Sequence, residues 1–365
     1  MSRYSHIPVN WFPGHMAKST RLIQENLARA KNIIEVRDAR IPLSSENHTL
    51  KDLIQRSKKK HVIVLNKHDL SDRRTTHSWK SYLQESNPQA PLFTSLKPRD
   101  SGQWGAEQRK KTQSLLELIR TCHSAAETGS DSSRPVISMV VGFPNVGKST
   151  LINHLVGRRR ASVAPKPAWT RGVQLFRIRM PDPTDSSLPP GPFRDAEGET
   201  EAPVKVISEH FTNRLAGHKF QCTTSTQKQM AGNVVFCNGL PRKETVRHVW
   251  LLDTPGVMVP ARIESEQGLK LMVCGCVADH VLEHFYLLAG EYVYYLLTKK
   301  NARRDASSGW HGALKLETVP NTYEHLLREI GKRFGKKDET TQARVLVSEF
   351  RKGNLGEYTL DEIPM

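Results

Sequence analysis

The segment Gly142-Phe143-Pro144-Asn145-Val146-Gly147-Lys148-Ser149 constrains this chain more than any other feature, because it fits GxxxxGK[ST] and joins two stretches of different periodicity. Val136–Val141 before it is an apolar run of strand length, and Ser149–Val156 after it has helical spacing. A glycine-rich turn between a strand and a helix wraps tightly, so its backbone N–H groups point at phosphate oxygens. Asn145, Val146, Gly147, Lys148, Ser149 and Thr150 are therefore candidate phosphate contacts. Lys148 is expected to neutralise the β and γ oxygens, and Ser149 to ligate Mg2+.

Two further segments give that loop a substrate. Asp253-Thr254-Pro255-Gly256 follows the apolar run Val249–Leu252; its carboxylate can hold Mg2+ and the Gly256 N–H can reach a γ-phosphate. Asn66-Lys67-His68-Asp69 follows the run His61–Leu65. An Asp at such a strand end accepts from guanine N1–H and the exocyclic amine, a pair that adenine does not present. Asn66, Lys67 and Asp69 are thus the candidate guanine selectors, and Ser95 in Thr94-Ser95-Leu96 the candidate contact closing over the base. Thr170, in Pro167-Ala168-Trp169-Thr170-Arg171-Gly172, is the best candidate for the switch threonine that binds Mg2+ and senses the γ-phosphate. The implied substrate is GTP, with hydrolysis as the reaction. Val257 stands where a water-orienting glutamine would be expected, which predicts a low intrinsic rate.

Strands alternating with helices predict an α/β fold with a parallel sheet and helices on both faces. Leu22, Ile23, Leu27, Ala30, Ile33 and Ile34 recur at helical spacing after an N-terminal loop, and a second helix is expected around Ser78–Glu85. Pro91–Thr94 reads as a strand, Leu115–Cys122 as a helix and residues 124–134 as a linker. Gln174–Met180 and Val246–Leu252 read as two more strands. The motifs run in the order guanine, guanine-loop, phosphate, switch, magnesium, whereas Ras-type GTPases begin with the phosphate loop. A P-loop GTPase fold with a circularly permuted order accommodates this. Residues 1–261 are assigned to that domain, with 181–245 as a low-complexity insertion. From Arg262 the pattern turns helical, with Val273, Val277, Val281, Phe285, Leu288 and Tyr292 on one face of a long helix or helix pair. Residues 262–365 are assigned to a smaller, basic helical domain.

Charge suggests the partner. Lys and Arg total 54 against 37 acids, a net +17, which favours polyanions such as nucleic acid first and anionic membrane second. Residues 299–352 carry part of that surplus; Arg328, Lys332 and Arg333 share a helical face, and Lys336, Lys337 and Arg344 continue it. No run approaches the ~18 apolar residues of a membrane-spanning helix. The five cysteines form no CxxC pair, so reduced thiols and no zinc site are expected. A motif begins by Trp11, leaving little room for a leader, although Arg3 and the lack of acids before Glu25 are compatible with a short organellar presequence.

Trp11-Phe12-Pro13-Gly14-His15-Met16-Ala17-Lys18, Asp38-Ala39-Arg40-Ile41-Pro42, the guanine motif, the phosphate loop, DTPG and the tail Phe350-Arg351-Lys352-Gly353-Asn354-Leu355-Gly356 together resemble the YlqF/RbgA family of circularly permuted GTPases. The resemblance covers nearly the whole chain outside 181–245. It implies a monomeric GTPase that binds the maturing large ribosomal subunit, contacts rRNA through its C-terminal helices and leaves after hydrolysis. It implies a mitochondrial location, in the matrix or peripheral to the inner membrane, with plastid or cytosol as alternatives. Carried over by residue, His15 matches a histidine that assists water attack, and Asn145 an asparagine that helps hold K+ across the phosphates. Pro167-Ala168-Trp169-Thr170 departs from the family's Pro-Gly before the switch threonine and loses easy access to positive φ there. Two other classes compete: a GTP-gated switch on protein or membrane surfaces without RNA, and a degenerate GTPase serving as an RNA scaffold.

Overall fold

The computed structural model describes residues 24–87, 89–96, 114–116, 119, 136–156, 174–179, 204–205, 248–254, 265–277, 283–301 and 310–364. The first half alternates β1 (Asn32–Asp38), α1 (His48–Ser57), β2 (Lys60–Asn66), α2 (Thr76–Ser86), β3 (Leu92–Phe93), β4 (Val136–Val141) and α3 (Lys148–Val156). β5 (Gln174–Arg179), β6 (Val204–Lys205) and β7 (His248–Asp253) complete the strands among the described residues. Helices α4 (Ser265–Val273), α5 (Tyr286–Asn301), the single turn α6 (Trp310–Ala313), α7 (Tyr323–Phe334) and α8 (Glu339–Lys352) follow.

The strands form one sheet in the order β3-β2-β1-β4-β7-β5-β6. β3, β2, β1, β4 and β7 are mutually parallel, and β5 runs antiparallel to both β7 and β6. Parallel strands buried on both faces need continuous apolar runs, and β2 and β4 supply them. One face carries Ile33, Met139, Val141 and Leu252 beneath Leu50 and Ile54 of α1, continued by Ile63 and Leu65 beneath Trp79 and Leu83 of α2. The other carries Ile34, Val36, Val62, Val64 and Val140 beneath Leu151, Ile152 and Leu155 of α3 and Leu115, Leu116 and Ile119.

One sequence expectation changes here. Residues 24–27 are helical, but Ile33 and Ile34 lie in β1. The apparent helical spacing spans a short helix and the start of a strand, and the β-branched run Ile33-Ile34 with Val36 favours the extended form. Of the long helix or helix pair expected from Val273 to Tyr292, the described residues give two separate helices, α4 closing at Gly275 (φ +79°, left-handed) and α5 starting at Tyr286; Val281 lies outside the described residues. Helix α1 was not anticipated. Its start is marked by Asn47, whose side chain accepts from Leu50 N at 3.0 Å, and it ends at left-handed Lys58.

The C-terminal helices pack by close backbone approach. α8 lies along α5 and against α7. At Gly290 of α5 a Cβ would overlap Tyr323 Oη and crowd the Ala343 side chain of α8. The apolar cluster under α3 continues without a break into Leu269, Val293, Leu326 and Leu346 of these helices. The last residues then return across the sheet: Tyr358 N donates to Leu70 O at 2.9 Å, and Leu360 N to Arg40 O at 2.7 Å. Asp361 accepts from Leu43 N, Ser44 N and Ser44 Oγ at 2.6–2.8 Å and pairs with Lys270 at 3.2 Å. Asp361→Ala leaves these buried donors unpaired and is expected to cost about 1–3 kcal/mol, read as a lower urea midpoint.

Candidate functional site

In an open parallel sheet, ligands sit beyond the carboxyl ends of the strands, where the strand order reverses. Here β1 leads outward to β2 and β3 on one side, whereas β4 starts the excursion to β7 on the other. The reversal therefore lies between β1 and β4. Asp38 ends β1, Asn66 ends β2, the loop from Gly142 follows β4, and Asp253 ends β7.

The phosphate-loop conformation depends on two glycines. Gly142 at φ +143° lies so close to Val36 O that a Cβ would overlap it, and a Cβ at Gly147 (φ +108°) would overlap Asn66 Nδ2. Asn145 is also left-handed, at φ +56°. Lys148 is 7% exposed, and its ammonium donates to Gly142 O at 3.1 Å and Phe143 O at 2.8 Å. Thus the lysine that would meet phosphate is held over the loop by the loop's own carbonyls.

Asn66 brings the guanine motif to this loop. Its Nδ2 donates to Val146 O at 2.9 Å, while its Oδ1 accepts from Leu96 N at 2.9 Å and Thr94 Oγ1 at 3.2 Å. Asp69 lies half-buried in the short turn His68–Leu70, and its N–H donates to Ser95 Oγ at 3.0 Å. Asn66, Lys67, Asp69 and Ser95 therefore form one constellation joined to the phosphate loop.

The magnesium candidates also meet. Ser149 Oγ donates to Asp253 Oδ2 at 3.3 Å, and Asp253 is 1% exposed with its Oδ1 buried and without a hydrogen-bond partner. Burial pushes the Asp253 carboxyl up to about 6, against the pull of Lys148. Burial pushes Lys148 down to about 8, partly offset by Asp253. An ionised oxygen with no donor suits a hard divalent cation, so Ser149 and Asp253 fit Mg2+. Thr254 supports this corner by donating from Oγ1 to Val140 O at 2.7 Å. Thr150 and Val146 are buried beside the loop. His15, Thr170, Gly256 and Val257 lie outside the described residues.

A buried charge cluster that motif reading left without a role lies beneath the guanine constellation. Asp38 receives Arg40 bidentately, Nε to Oδ1 at 2.9 Å and Nη2 to Oδ2 at 2.8 Å, and Lys67 Nζ lies 3.0 Å from Oδ2. Burial alone would raise the Asp38 carboxyl, but Arg40 and Lys67 hold it well below the usual range. Breaking such a buried pair from one side typically costs about 3–5 kcal/mol. The available signal was the interruption of an apolar strand by Asp38-Ala39-Arg40. A separate cleft of about 1360 Å3, bordered by Ser44, Tyr292 and Tyr323, contains none of the motif residues.

Residues 138–284 match the family model described as "50S ribosome-binding GTPase". This chain is a P-loop GTPase. It is 29% identical to mouse mitochondrial ribosome-associated GTPase 1 over 98% of its length and 91% of that protein's. It is 25% identical to ribosome biogenesis GTPase A of Priestia megaterium over 97% of its length and 96% of that protein's. Short integuments 2, mitochondrial, of Arabidopsis thaliana is 31% identical over 75% of the chain but only 53% of that protein. The family model begins on β4, so the guanine constellation of this GTPase lies upstream of the matched segment.

Two outcomes follow for nucleotide binding. Ionised Asp253 and charged Lys148 coexist in the free GTPase between about pH 6 and about pH 8. Affinity for Mg2+–GDP is expected to peak in that window and to fall by up to about tenfold per pH unit on either side, measured by fluorescent-nucleotide titration. Asn66→Ala strips partners from Val146 O and Leu96 N, at about 1–3 kcal/mol for each buried group. The same titration should show at least about a tenfold loss.

Proposed function

We propose that this GTPase binds the maturing large ribosomal subunit of mitochondria and promotes its assembly, hydrolysing GTP to GDP and phosphate on the particle. The observation that carries the reading is the hydrogen bond from Asn66 Nδ2 to Val146 O, which completes one guanine-nucleotide site from motifs 80 residues apart in inverted order. That order, together with full-length relatives whose names refer to ribosome biogenesis and mitochondrial ribosomes, supports a circularly permuted GTPase domain over residues 1–261. The helices of 262–365 are its RNA-binding domain, and 181–245 is an insertion beside the switch. The protein acts as a monomer in the matrix, with peripheral contact to the inner membrane.

In this reading Asp69 accepts from guanine N1–H and the exocyclic amine, and Lys67 flanks the base with Ser95 closing the other side. Backbone N–H groups of Val146 through Thr150 hold the β-phosphate, and Lys148 exchanges its loop carbonyls for β and γ oxygens. Mg2+, held by Ser149, Thr170 and Asp253, supplies charge stabilisation of the transferring phosphoryl group. Gly256 N–H would report the γ-phosphate, and Asn145 would help hold a K+ ion, which would supply further positive charge to the phosphates. His15 orients the attacking water on the particle, because Val257 has no polar group to do so. Slow hydrolysis without a partner is the consequence.

The basic face supports the RNA contact. Arg328, Lys332, Arg333, Lys336, Lys337 and Arg344 are exposed on or beside α7 and α8. Lys332 also pairs with Glu329 at 2.7 Å, and Arg344 lies over the Tyr286 ring at 4.7 Å, so Arg333, Lys336 and Lys337 carry most of the expected phosphate contact. Purified protein should co-sediment with mitochondrial large-subunit precursors in the presence of a non-hydrolysable GTP analogue and be released by GDP. Its GTPase rate should rise with those particles and with K+, and binding should weaken steeply with salt. Sedimentation with anionic liposomes and not with particles would instead establish the membrane-switch alternative.

A further inference from the structure

The turn that closes α4 is held by its own backbone, with Gly275 N donating to Met272 O and Cys276 N to Leu271 O at 2.9 Å each, and it leaves further acceptor positions on its carbonyls. Side chains from three separate elements reach the carbonyls of this turn. Arg351 Nη2 of α8 donates to Met272 O at 2.7 Å, Arg40 Nη2 beyond β1 donates to Cys274 O at 2.9 Å, and Asn145 Nδ2 of the phosphate loop donates to Gly275 O at 3.0 Å. The turn is tight: Gly275 is left-handed at φ +79°, and a Cβ there would meet Arg351 Nε at 3.3 Å. It is also buried, with Cys274 and Cys276 at 2% and 0% exposure.

Each donor has a second attachment or a defined place. Arg40 is clamped by Asp38, which also pairs with Lys67 of the guanine motif. Asn145 lies between the β4 strand end and Lys148. Arg351 belongs to the helix that packs along α5. The base side of the nucleotide site, its phosphate side and the last helix therefore converge on three carbonyls of one turn, those of Met272, Cys274 and Gly275. Two guanidinium groups at a helix C-terminus also oppose its partial negative charge.

We propose that Arg351 is a positioning residue for nucleotide binding: by fixing the 272–276 turn it fixes the amide of Asn145, and so couples the phosphate loop to α8. The inference rests on the GTPase reading. It assigns a nucleotide-linked role to a residue in the basic tail that would otherwise be counted as an RNA contact. Coupling of this kind is reciprocal, so nucleotide that orders the phosphate loop also tightens the α4–α8 contact, and a partner that moves α8 alters nucleotide affinity.

The test is a double-mutant cycle read by titration of a fluorescent GDP analogue with Mg2+, well below the unfolding temperature. Arg351→Met is expected to weaken binding about tenfold, within the usual range of coupling between sites. Arg351→Lys should recover part of that loss. Combined with Asn145→Ala, it should cost less than the product of the two single effects, because both act through one turn. Equal affinity of wild type and a helical, folded Arg351→Met, or effects that multiply, would overturn the proposal. Should that variant fail to fold, hydrogen exchange on the wild type decides. GDP should slow amide exchange in 265–277 and 339–352 as well as 142–150, and protection confined to 142–150 overturns the coupling. Wild-type protein that binds no guanine nucleotide would instead sink the GTPase reading, and the first titration separates the two failures.

Discussion

The nucleotide site depends on how one primary amide is used. Asn66 donates to the phosphate loop and accepts from the loop after β3, so its two polar ends join three strand ends that hydrogen bonding within the sheet leaves separate. Buried amides need their donors and acceptors satisfied, and here every partner is itself a turn that must be held in place. The absence of a Cβ at Gly147 lets Asn66 approach. The candidate guanine motif and the candidate phosphate loop are thereby joined, although they lie far apart along the chain.

Beneath that amide, the site rests on buried charge. Asp38 pairs with both Arg40 and Lys67 at the end of β1, and Arg40 passes the contact on to Cys274 O beyond α4. A second cluster lies nearby in the same strand, where Arg37 pairs with Glu35 and Glu46 at 2.8 Å each. Burial would raise Glu35, but Arg37 and His61 bring it down to about 2. Such networks add little net stability compared with apolar packing, yet they are costly to leave half-made. They therefore favour one arrangement of β1 against α4 and the returning tail. The tail completes it, since Asp361 caps the Leu43–Ser44 backbone and Leu360 pairs with Arg40 O.

Much of the framework was legible because it obeys local rules. Strands β2, β4, β5 and β7, helices α2 and α3, and the grouping of Lys148, Ser149, Asp253, Asn66 and Asp69 were read from periodicity and spacing. What escaped has identifiable causes. The β1 start is hidden in the sequence because Leu27, Ala30 and Ile34 fit a period of 3.6 across a helix–strand boundary. α1 carries a weak signal because its sequence, HTLKDLIQRS, is mostly polar, although two of its apolar side chains seal one face of the sheet. The role of Asp38-Ala39-Arg40 was invisible because its partners, Lys67 and Cys274, are distant in sequence.

The amino-acid order alone carries the motifs: the GxxxxGK[ST] turn, the Asn66–Asp69 segment and Asp253 at a strand end, each a short segment whose backbone and side chains act locally. It also determined that the guanine motif precedes the phosphate loop. Only the tertiary structure decided that these segments share a site, because parallel strand order places β1 between β2 and β4 whatever their sequence separation. It alone decided that Asn145, Arg40 and Arg351 converge on the end of α4. Helix carbonyls accept from any donor that packing delivers, and no spacing in the chain announces which donor that will be.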